Sequence, residues 1–283
     1  MKSLIVGCRG MLGTELMTVF AALGPVSGMD IEELDITDLG KCTARVNEVR
    51  PDLVVNAAAL TAVDYCEAHE EEALRVNAQG PGNLAEAAFS VGARLIHYST
   101  DYVFDGRKEG PYFEEDPASP RSAYGRSKLQ GEVLVRSRCA EHLIVRTAWL
   151  FGRHGGNFIR TILKAARAGQ ILRVVDDQRG SPTYARDLAA CTARLARAGG
   201  RGTYHVTNSG SCSWYQLACR AIEWAGLEGI TIHPVTSAEY PRPAPRPANS
   251  VLANSRLENE GLGLLRPWEE AVQEYICECE KKL

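Results

Sequence analysis

The feature that most constrains the fold is a short apolar run near the start of the chain that breaks into evenly spaced glycines. The run Ser3–Val6 is followed at once by Gly7, Gly10 and Gly13, at three-residue spacing, and then by a helical pattern. Such glycines let the backbone turn tightly and approach a pyrophosphate, whose charge the helix N-terminus stabilises. A plain strand-to-helix turn is the alternative, but a position directly after the first strand favours a dinucleotide-binding loop.

The residue that ends the second predicted strand bears on which dinucleotide binds. Asp30 follows Val26–Met29 and lies twenty residues beyond Gly10. An acid at this position usually accepts hydrogen bonds from the adenosine ribose and repels a 2′-phosphate, which favours NAD. Arg9 favours NADP, because a guanidinium beside the loop could hold that phosphate. The sequence therefore leaves the choice of cofactor open.

Two further segments have both a structural and a ligand-binding interpretation. Asp35 or Thr37 could cap the next helix, or this segment could contact adenine. The third strand, residues 52–55, runs into the small residues of 56–61. Small residues at the C-terminal end of a strand leave room for a ligand in a doubly wound fold, and they also allow close helix packing.

Strands and helices continue to alternate through the first half of the chain. We predict a helical stretch over 64–91 interrupted near 80–82, a strand at 94–98, a helix at 121–139 and a strand at 143–146. This alternation predicts an α/β fold with a doubly wound parallel sheet, Rossmann-like. Beyond Trp149 the alternation stops. We therefore predict a dinucleotide-binding domain of residues 1–150, regaining part of 170–200, and a smaller C-terminal α/β substrate domain of residues 151–283.

A tyrosine and a lysine stand four residues apart in the middle of the chain. Tyr124 and Lys128 share one face of a predicted helix. A neighbouring ammonium lowers the pKa of a tyrosine from about 10, so Lys128 would make Tyr124 a usable acid or base. Thr100, at the end of the fourth strand, could donate a hydrogen bond to a substrate carbonyl. A solvated helix face is the usual explanation of such a pair. In this chain, however, the tyrosine–lysine pair follows a glycine loop, in the order that a single cofactor cleft requires. We therefore predict that the chain reduces a ketone with a nicotinamide cofactor.

The overall composition excludes several classes of partner. A net charge of −3 gives no electrostatic case for nucleic acid. No apolar run approaches the roughly 18 residues that span a bilayer, so we expect no membrane partner. Nine scattered cysteines without a Cys-x-x-Cys pair indicate reduced thiols in the cytoplasm rather than a disulfide or zinc framework.

These motifs together resemble a known family. The glycine loop, the Asn-Ala-Ala-Ala segment at 56–59 and the Tyr-x-x-x-Lys pair are similar to the extended short-chain dehydrogenase/reductases. More narrowly, four segments resemble the dTDP-4-dehydrorhamnose reductases. They are Ser-Thr-Asp-Tyr-Val-Phe-Asp-Gly at 99–106, Arg-Thr-Ala-Trp-Leu-Phe-Gly at 146–152, Asp-Gln-x-Gly-Ser-Pro-Thr at 177–183 and Arg-Pro-x-Asn-Ser at 246–250. The matches extend from residue 4 to about residue 276.

The resemblance implies an activity and a set of catalytic residues. The activity is the NAD(P)H-dependent reduction of dTDP-4-dehydro-L-rhamnose to dTDP-L-rhamnose, in the synthesis of deoxysugar and cell-surface polysaccharide precursors. Thr100 would orient the C4 carbonyl, Tyr124 would donate the proton, and Lys128 would tune the tyrosine and hold the nicotinamide ribose. Members of this family use NADPH or NADH, which fits the opposing signals of Arg9 and Asp30.

The same resemblance completes the expected binding sites. For the cofactor we expect Gly7, Gly10, Met11, Leu12, Gly13, Asp30, Asp35, Ile36, Ala58, Ala59, Leu60 and Thr61, together with Tyr124 and Lys128. For the substrate we expect Thr100, Asp101, Tyr102, Trp149, Arg242 and Arg246. A buried core tryptophan is the alternative for Trp149, and side chains that solvate a proline-rich segment are the alternative for Arg242 and Arg246.

Three questions stay open at this point. Some members of the family pair through a magnesium ion that carboxylates bridge. Glu15 could contribute here, but Arg186 stands where another acid would be expected, so we do not extend the metal to this chain, and a homodimer stays an open expectation. The regulatory subunit of methionine adenosyltransferase also resembles this family, and a reductase or epimerase of another nucleotide sugar is the third alternative.

Overall fold

The computed structural model describes residues 1–280, which form a six-stranded parallel sheet flanked by helices and followed by smaller sheets. The strands are β1 (Ser3–Val6), β2 (Val26–Met29), β3 (Leu53–Asn56), β4 (Arg94–Thr100), β5 (His142–Thr147), β6 (Leu150–Phe151), β7 (Leu172–Val175), β8 (Arg179–Gly180), β9 (Thr183–Tyr184), β10 (Gly202–His205), β11 (Asn208–Ser209), β12 (Cys212–Ser213), β13 (Ile232–Val235) and β14 (Leu265–Pro267). The helices are α1 (Met11–Ala21), α2 (Leu39–Val49), α3 (Val63–Ala68), α4 (Glu70–Leu74), α5 (Gly80–Ser90), α6 (Ala123–Arg138), α7 (Phe158–Arg167), α8 (Ala185–Ala198), α9 (Trp214–Trp224), α10 (Ser255–Asn259) and α11 (Trp268–Glu280), with a π-helical turn at Arg75–Gln79 and a 3-10 turn at Asp101–Val103.

The large sheet confirms the predicted doubly wound α/β fold. Its strand order is β2-β1-β3-β4-β5-β10, and every pair is parallel. Alternate side chains of β1 enter different cores: Ile5 packs in a cluster with α1 and α8, whereas Leu4 and Val6 pack with α2 and α5. Both faces of the sheet are therefore buried, as a parallel sheet requires.

The later part of the chain contributes to two cores. The strand β10 pairs with β5 at the edge of the large sheet, and α8 packs in the same cluster as α1. In contrast, β7 pairs with β13 in a separate two-stranded sheet, and α7, α9 and α11 share a second cluster. The division into residues 1–150 and 151–283 stays a prediction. In the structure, the returning segments are the helix α8 and the strand β10.

Two local predictions are wrong, each for a physical reason. The helical stretch breaks at His69 rather than near 80–82, because Pro81 lies in the first turn of α5, where its missing N–H costs nothing. The cap of α2 is Asp38, whose carboxylate accepts from the Lys41 amide at 3.0 Å. The carboxylate of Asp35 instead accepts from the amide and hydroxyl of Thr37, at 2.9 and 2.8 Å, and so closes a turn before the helix.

The predicted last helix after Pro267 is confirmed as α11. All nine cysteines are free thiols. Among the helices of residues 1–280, none combines the length and the apolar character needed to cross a membrane.

Candidate active site

Two adjoining cavities lie at the C-terminal ends of the central strands. The larger has a volume of about 470 Å³ and the smaller about 300 Å³. They share Gly10 and the segment 57–59, which follows β3. Ligands of doubly wound folds bind at this edge of the sheet. Together the two cavities form one continuous cleft, long enough for a ligand with two ends.

The glycine loop has the shape that a pyrophosphate needs. Gly7 has a φ of +78°, and a side chain there would place a Cβ atom 2.6 Å from the Ala58 amide nitrogen. A Cβ on Gly13 would come within 1.9 Å of the Gly7 carbonyl oxygen, so helix and loop pack too closely for any other residue. The helix α1 begins after Gly10 without a side-chain cap or an acid in its first turn. Its free amides can therefore bind an anion, and the loop fits a dinucleotide.

The smaller cavity fits the adenosine end of that dinucleotide. It is lined by the expected Gly7, Asp30, Asp35, Ile36, Ala58, Ala59 and Leu60, together with Ile31, Leu34, Thr37 and Val76. The carboxylate of Asp30 accepts from the amides of Arg9 and Ile31, at 2.9 and 3.0 Å. The guanidinium of Arg9 forms ion pairs with Glu32 and Glu33. The arginine that we considered as a phosphate ligand is thus already held by two acids.

The structure brings the three expected catalytic residues to the larger cavity. Thr100, Tyr124 and Lys128 all line it. The helix α6 begins after Ser122, whose hydroxyl accepts from the Gly125 amide at 3.1 Å. Tyr124 and Lys128 then lie one turn apart on the buried face of this helix. The Lys128 ammonium donates to the Tyr98 carbonyl oxygen at 2.7 Å, so the main chain of β4 positions it.

The protonation of this group differs from the sequence prediction. Burial raises the pKa of Tyr124 well above its usual value, and a hydrogen bond with Thr100 acts in the opposite direction. Burial lowers the pKa of Lys128 to about 8. The pKa of Tyr124 is therefore raised rather than lowered as expected, because removal of the phenol from water is its largest cause.

Several buried polar residues at the ends of β4 and β5 line the larger cavity. The Thr100 hydroxyl donates to Oδ1 of Asp101 at 2.8 Å, and a hydrogen bond with Ser250 also acts on the Asp101 carboxylate. The hydroxyl of Thr147 has no hydrogen-bond partner within residues 1–280, and Ser99, Thr100, Asp101 and Thr147 all line the cavity. Burial raises the pKa of Asp101 to about 6. Unpaired buried polar atoms are costly, so this wall fits a ligand rich in hydroxyl groups.

Trp149 is half-buried: it packs against two hydrophobic clusters and also lines the larger cavity. Its indole ring stacks on Trp214 with ring centroids 3.5 Å apart, and both side chains line the cavity. Its backbone has a φ of +46°, which is strained for a bulky residue. A Cβ on Gly180 would lie 2.2 Å from the indole, so this glycine leaves the space that the ring occupies. Sequence reasoning missed Trp214, because the only local signal at 213–216 is a capping box that starts α9.

Arg242 and Arg246 both approach the carboxylate of Asp64 at the side of the cleft. A guanidinium nitrogen of Arg246 is 2.9 Å from the carboxylate of Asp64, and one of Arg242 is 3.9 Å from it. Arg242 also lies over the ring of Tyr240. Tyr102 lines the cavity, and burial raises its pKa. The charge of Arg246 acts to lower that pKa. Arg246 is therefore near the cleft, and Arg242 is half exposed beyond it.

A second position that sequence reasoning missed supports the cofactor side of the cleft. The side chain of Asn77 accepts from the Leu60 amide at 2.8 Å and donates to the Leu60 carbonyl at 2.9 Å. Its amide nitrogen also approaches the Ser127 hydroxyl at 3.1 Å. Asn77 thus connects the segment after β3 to α6, the helix that carries Tyr124 and Lys128. Sequence reasoning missed it because it lies in a stretch without a recognisable motif.

A doubly wound sheet, a glycine loop and a Tyr-x-x-x-Lys pair facing one cleft define an extended short-chain dehydrogenase/reductase. Comparison with known proteins narrows this class. The family model described as the RmlD substrate binding domain matches residues 1–281. The chain belongs to this family, which confirms the predicted family and the prediction of an oxidoreductase.

Three relatives illustrate the similarity. A dTDP-4-dehydrorhamnose reductase of Burkholderia thailandensis is 42% identical, over 96% of this chain and 97% of its own. A probable dTDP-4,6-dihydroxy-2-methyloxan-3-one 4-ketoreductase of Streptomyces antibioticus is also 42% identical, over 97% and 94%. The crystal structure of dTDP-4-dehydrorhamnose reductase from Bacillus anthracis in complex with NADP has a TM-score of 0.95 at 35% identity, over 98% and 99%.

Proposed function

We propose that this chain reduces the C4 ketone of dTDP-4-dehydro-L-rhamnose to dTDP-L-rhamnose, with NADPH or NADH as the reductant. The observation that carries the proposal is the convergence of Thr100, Tyr124 and Lys128 on a cavity continuous with the glycine loop. The similarity to the reductases from Burkholderia thailandensis and Bacillus anthracis supports the assignment of this substrate. The NADP bound in the Bacillus anthracis structure supports the assignment of a nicotinamide cofactor. The product belongs to the synthesis of deoxysugar and cell-surface polysaccharide precursors.

The residues of the site can perform each step that ketone reduction requires of the protein. When bound, the reduced nicotinamide supplies a hydride to the carbonyl carbon. The hydroxyl of Thr100 turns from Asp101 to the carbonyl oxygen and polarises it. Tyr124 then donates its phenolic proton to the oxygen, which becomes the product hydroxyl. With its raised pKa, Tyr124 is protonated at neutral pH, so the proton is present on the phenol when the hydride is transferred.

The remaining cavity residues have proposed roles in sugar binding. The carboxylate of Asp101 is an acceptor, and the hydroxyl of Thr147 a donor or acceptor, for sugar hydroxyls. The stacked Trp149 and Trp214 present an aromatic edge of the cavity to the sugar ring. Tyr102 lines the same wall, and Arg246 is the nearer of the two arginines for the substrate diphosphate.

The first prediction concerns turnover by the purified chain. Given dTDP-4-dehydro-L-rhamnose, it should oxidise NADPH or NADH with one cofactor consumed for each ketone reduced, followed by absorbance. A dTDP-sugar without a ketone is the matched control and should give no oxidation. Absence of turnover with both cofactors would contradict the proposal. Copurification with a methionine adenosyltransferase, combined with that absence, would favour the regulatory-subunit alternative.

One comparison favours a second candidate substrate. The Streptomyces antibioticus relative is named as a 4-ketoreductase of a different dTDP-sugar, at the same identity as the rhamnose enzyme. The chemistry at the ketone is the same in both cases, so Tyr124 and Lys128 do not distinguish them. A panel of 4-keto nucleotide sugars that varies the base and the sugar separates the candidates by kcat/KM.

The second prediction concerns pH. Because the pKa of Lys128 is lowered to about 8, its ammonium form is lost as the pH rises through that value. We expect kcat/KM for the reduced cofactor to fall about tenfold per pH unit above pH 8, because the ammonium of Lys128 is proposed to hold the nicotinamide ribose and this parameter reports the free enzyme. Tyr124 stays protonated over this range, so the decline belongs to the lysine. The variant Lys128→Arg should flatten the decline at a lower maximum. A wild-type profile that stays flat to about pH 10 would contradict this assignment.

Two further expectations belong to the same proposal. We place the reaction in the cytoplasm, where free thiols such as the nine of this chain persist. The homodimer also stays a prediction, which light scattering on the purified chain tests.

At the position considered for a metal, Glu15 pairs with Arg153 at 3.1 Å, and Arg186 pairs with Glu274 and Glu278 at 2.8 and 2.9 Å.

A further inference from the structure

Three acids contact Arg9 beside the adenosine end of the cleft, two at its guanidinium and one at its backbone amide. Arg9 pairs with both Glu32 and Glu33, and its backbone amide donates to the carboxylate of Asp30 at 2.9 Å. Glu33 also accepts from the Asp30 amide at 3.0 Å, so the turn after β2 is fixed by the same group of residues. This cluster, Arg9 with Asp30, Glu32 and Glu33, has a net charge of −2 when all four side chains are ionised.

The cluster lies where the adenosine ribose of a dinucleotide must bind. The pyrophosphate binds at the glycine loop and the N-terminus of α1, and the acid at the end of the second strand accepts from the ribose hydroxyls. Asp30 occupies that position and lines the smaller cavity. Each oxygen of its carboxylate receives one backbone amide, which leaves further lone pairs for hydroxyl donors. An unmodified ribose therefore finds acceptors there.

A phosphate on the 2′ oxygen would find a different environment. It would bring nearly two further negative charges to a cluster that already has a surplus of two. The guanidinium of Arg9 cannot offset this, because both of its terminal nitrogens already pair with carboxylates. To bind the phosphate, Arg9 would have to leave Glu32 and Glu33, and these carboxylates would then repel the phosphate.

Two other cations near the turn also pair with acids. A groove next to the smaller cavity is lined by Ile31, Glu32, Glu33, Asp35, Lys41, Ala44 and Arg45. Its two cations pair elsewhere: Lys41 with Asp38 at 3.8 Å, and Arg45 with Glu48 at 2.7 Å. The groove has three acids against two bases, so its charge also disfavours a phosphate.

We propose that Glu32 and Glu33 make this chain select NADH over NADPH by occupying Arg9. The inference rests on the proposed function only in that it takes a nicotinamide dinucleotide as the cofactor. It assigns a specificity role to two exposed glutamates outside the catalytic group. The selection is electrostatic and therefore weakens as salt screens the exposed charges.

The test is the affinity of the full chain for NADH and NADPH, measured by calorimetry without any sugar substrate. We expect the wild type to bind NADH at least about tenfold more tightly than NADPH at low salt. In the double variant Glu32→Gln with Glu33→Gln, this ratio should fall at least about fivefold, through tighter NADPH binding. The glutamines keep an acceptor oxygen for the Asp30 amide, so NADH affinity should stay within about twofold.

A matched control separates this effect from a general change of charge. Glu223→Gln removes an acid from another exposed arginine pair, with Arg220 at 2.8 Å, and should leave the ratio unchanged. Equal or tighter binding of NADPH by the wild type overturns the proposal, as does an unchanged ratio in the double variant. Because binding is measured without sugar, failure of the proposed substrate would leave the ratio intact, and loss of the ratio would leave turnover intact.

Discussion

Replacement of Tyr124 by phenylalanine is expected to lower kcat by about a thousandfold, because it removes only the proton donor. The ring remains and keeps its edge contact with Tyr102, whose centroid lies 5.6 Å away. The KM for the sugar and the affinity for NADH should therefore change little. Steady-state kinetics with the 4-keto sugar, together with calorimetric titration of NADH, measure both parts of the prediction.

The control for this variant is a buried tyrosine outside the cavity. The hydroxyl of Tyr184 donates to Glu278 at 3.0 Å in the second core, and Tyr184→Phe should leave kcat within about threefold of wild type. If Tyr124→Phe retains more than about a tenth of the wild-type kcat, Tyr124 is not the general acid. If NADH binding is lost as well, the residue acts through the cofactor instead.

The second large effect is expected from a buried ion pair beneath the catalytic helix. Glu132 on α6 accepts from two nitrogens of Arg146 on β5, both at 2.8 Å, and both side chains are buried. Burial acts to raise the pKa of Glu132, but the hydrogen bonds and charge of Arg146 outweigh it and lower the pKa. Glu132→Leu leaves the Arg146 charge buried without this partner and should reduce the free energy of unfolding by about 3 to 5 kcal/mol. Urea denaturation measures this change.

Two further variants test whether the loss of stability in Glu132→Leu comes from the burial of the ion pair. Glu86 pairs with Arg138 on the surface at 3.2 Å, and Glu86→Leu should cost less than about 1 kcal/mol. Adding Arg146→Met to Glu132→Leu should recover part of the lost stability, because the one charge left without its carboxylate, on Arg136, is partly exposed rather than buried. A cost for Glu132→Leu no larger than that for Glu86→Leu would show that the pair contributes nothing beyond an exposed one.

The features that the sequence predicts well are those with a short and regular spacing. Gly7, Gly10 and Gly13 follow a strand directly, and Tyr124 and Lys128 share a helix face, so their relation is fixed by local geometry. The end of β4 then reaches the same edge as the loop because parallel strands share one direction. The sheet and the grouping of Thr100, Tyr124 and Lys128 at one cavity could therefore be predicted without knowledge of side-chain packing.

The features that the sequence does not predict depend on contacts between segments that are distant along the chain. Trp214 stacks on Trp149 across the second core, and no local pattern connects the two residues. Asn77 reaches Ser127 from a neighbouring helix in the same way. The pKa of Tyr124 was mispredicted because its main cause is burial, which follows from the packing of the whole cleft. The spacing of Tyr124 and Lys128 does not report that packing.

Hydride transfer to the sugar tests the central claim most directly. The chain is incubated with dTDP-4-dehydro-L-rhamnose and, in separate reactions, NADH or NADPH dideuterated at C4 of the nicotinamide, and the product is examined by NMR and mass spectrometry. The proposal predicts dTDP-L-rhamnose with one deuterium, on C4 of the sugar, and far slower formation of the same product by Tyr124→Phe. Consumption of neither cofactor, or a product with deuterium at another carbon, would contradict it.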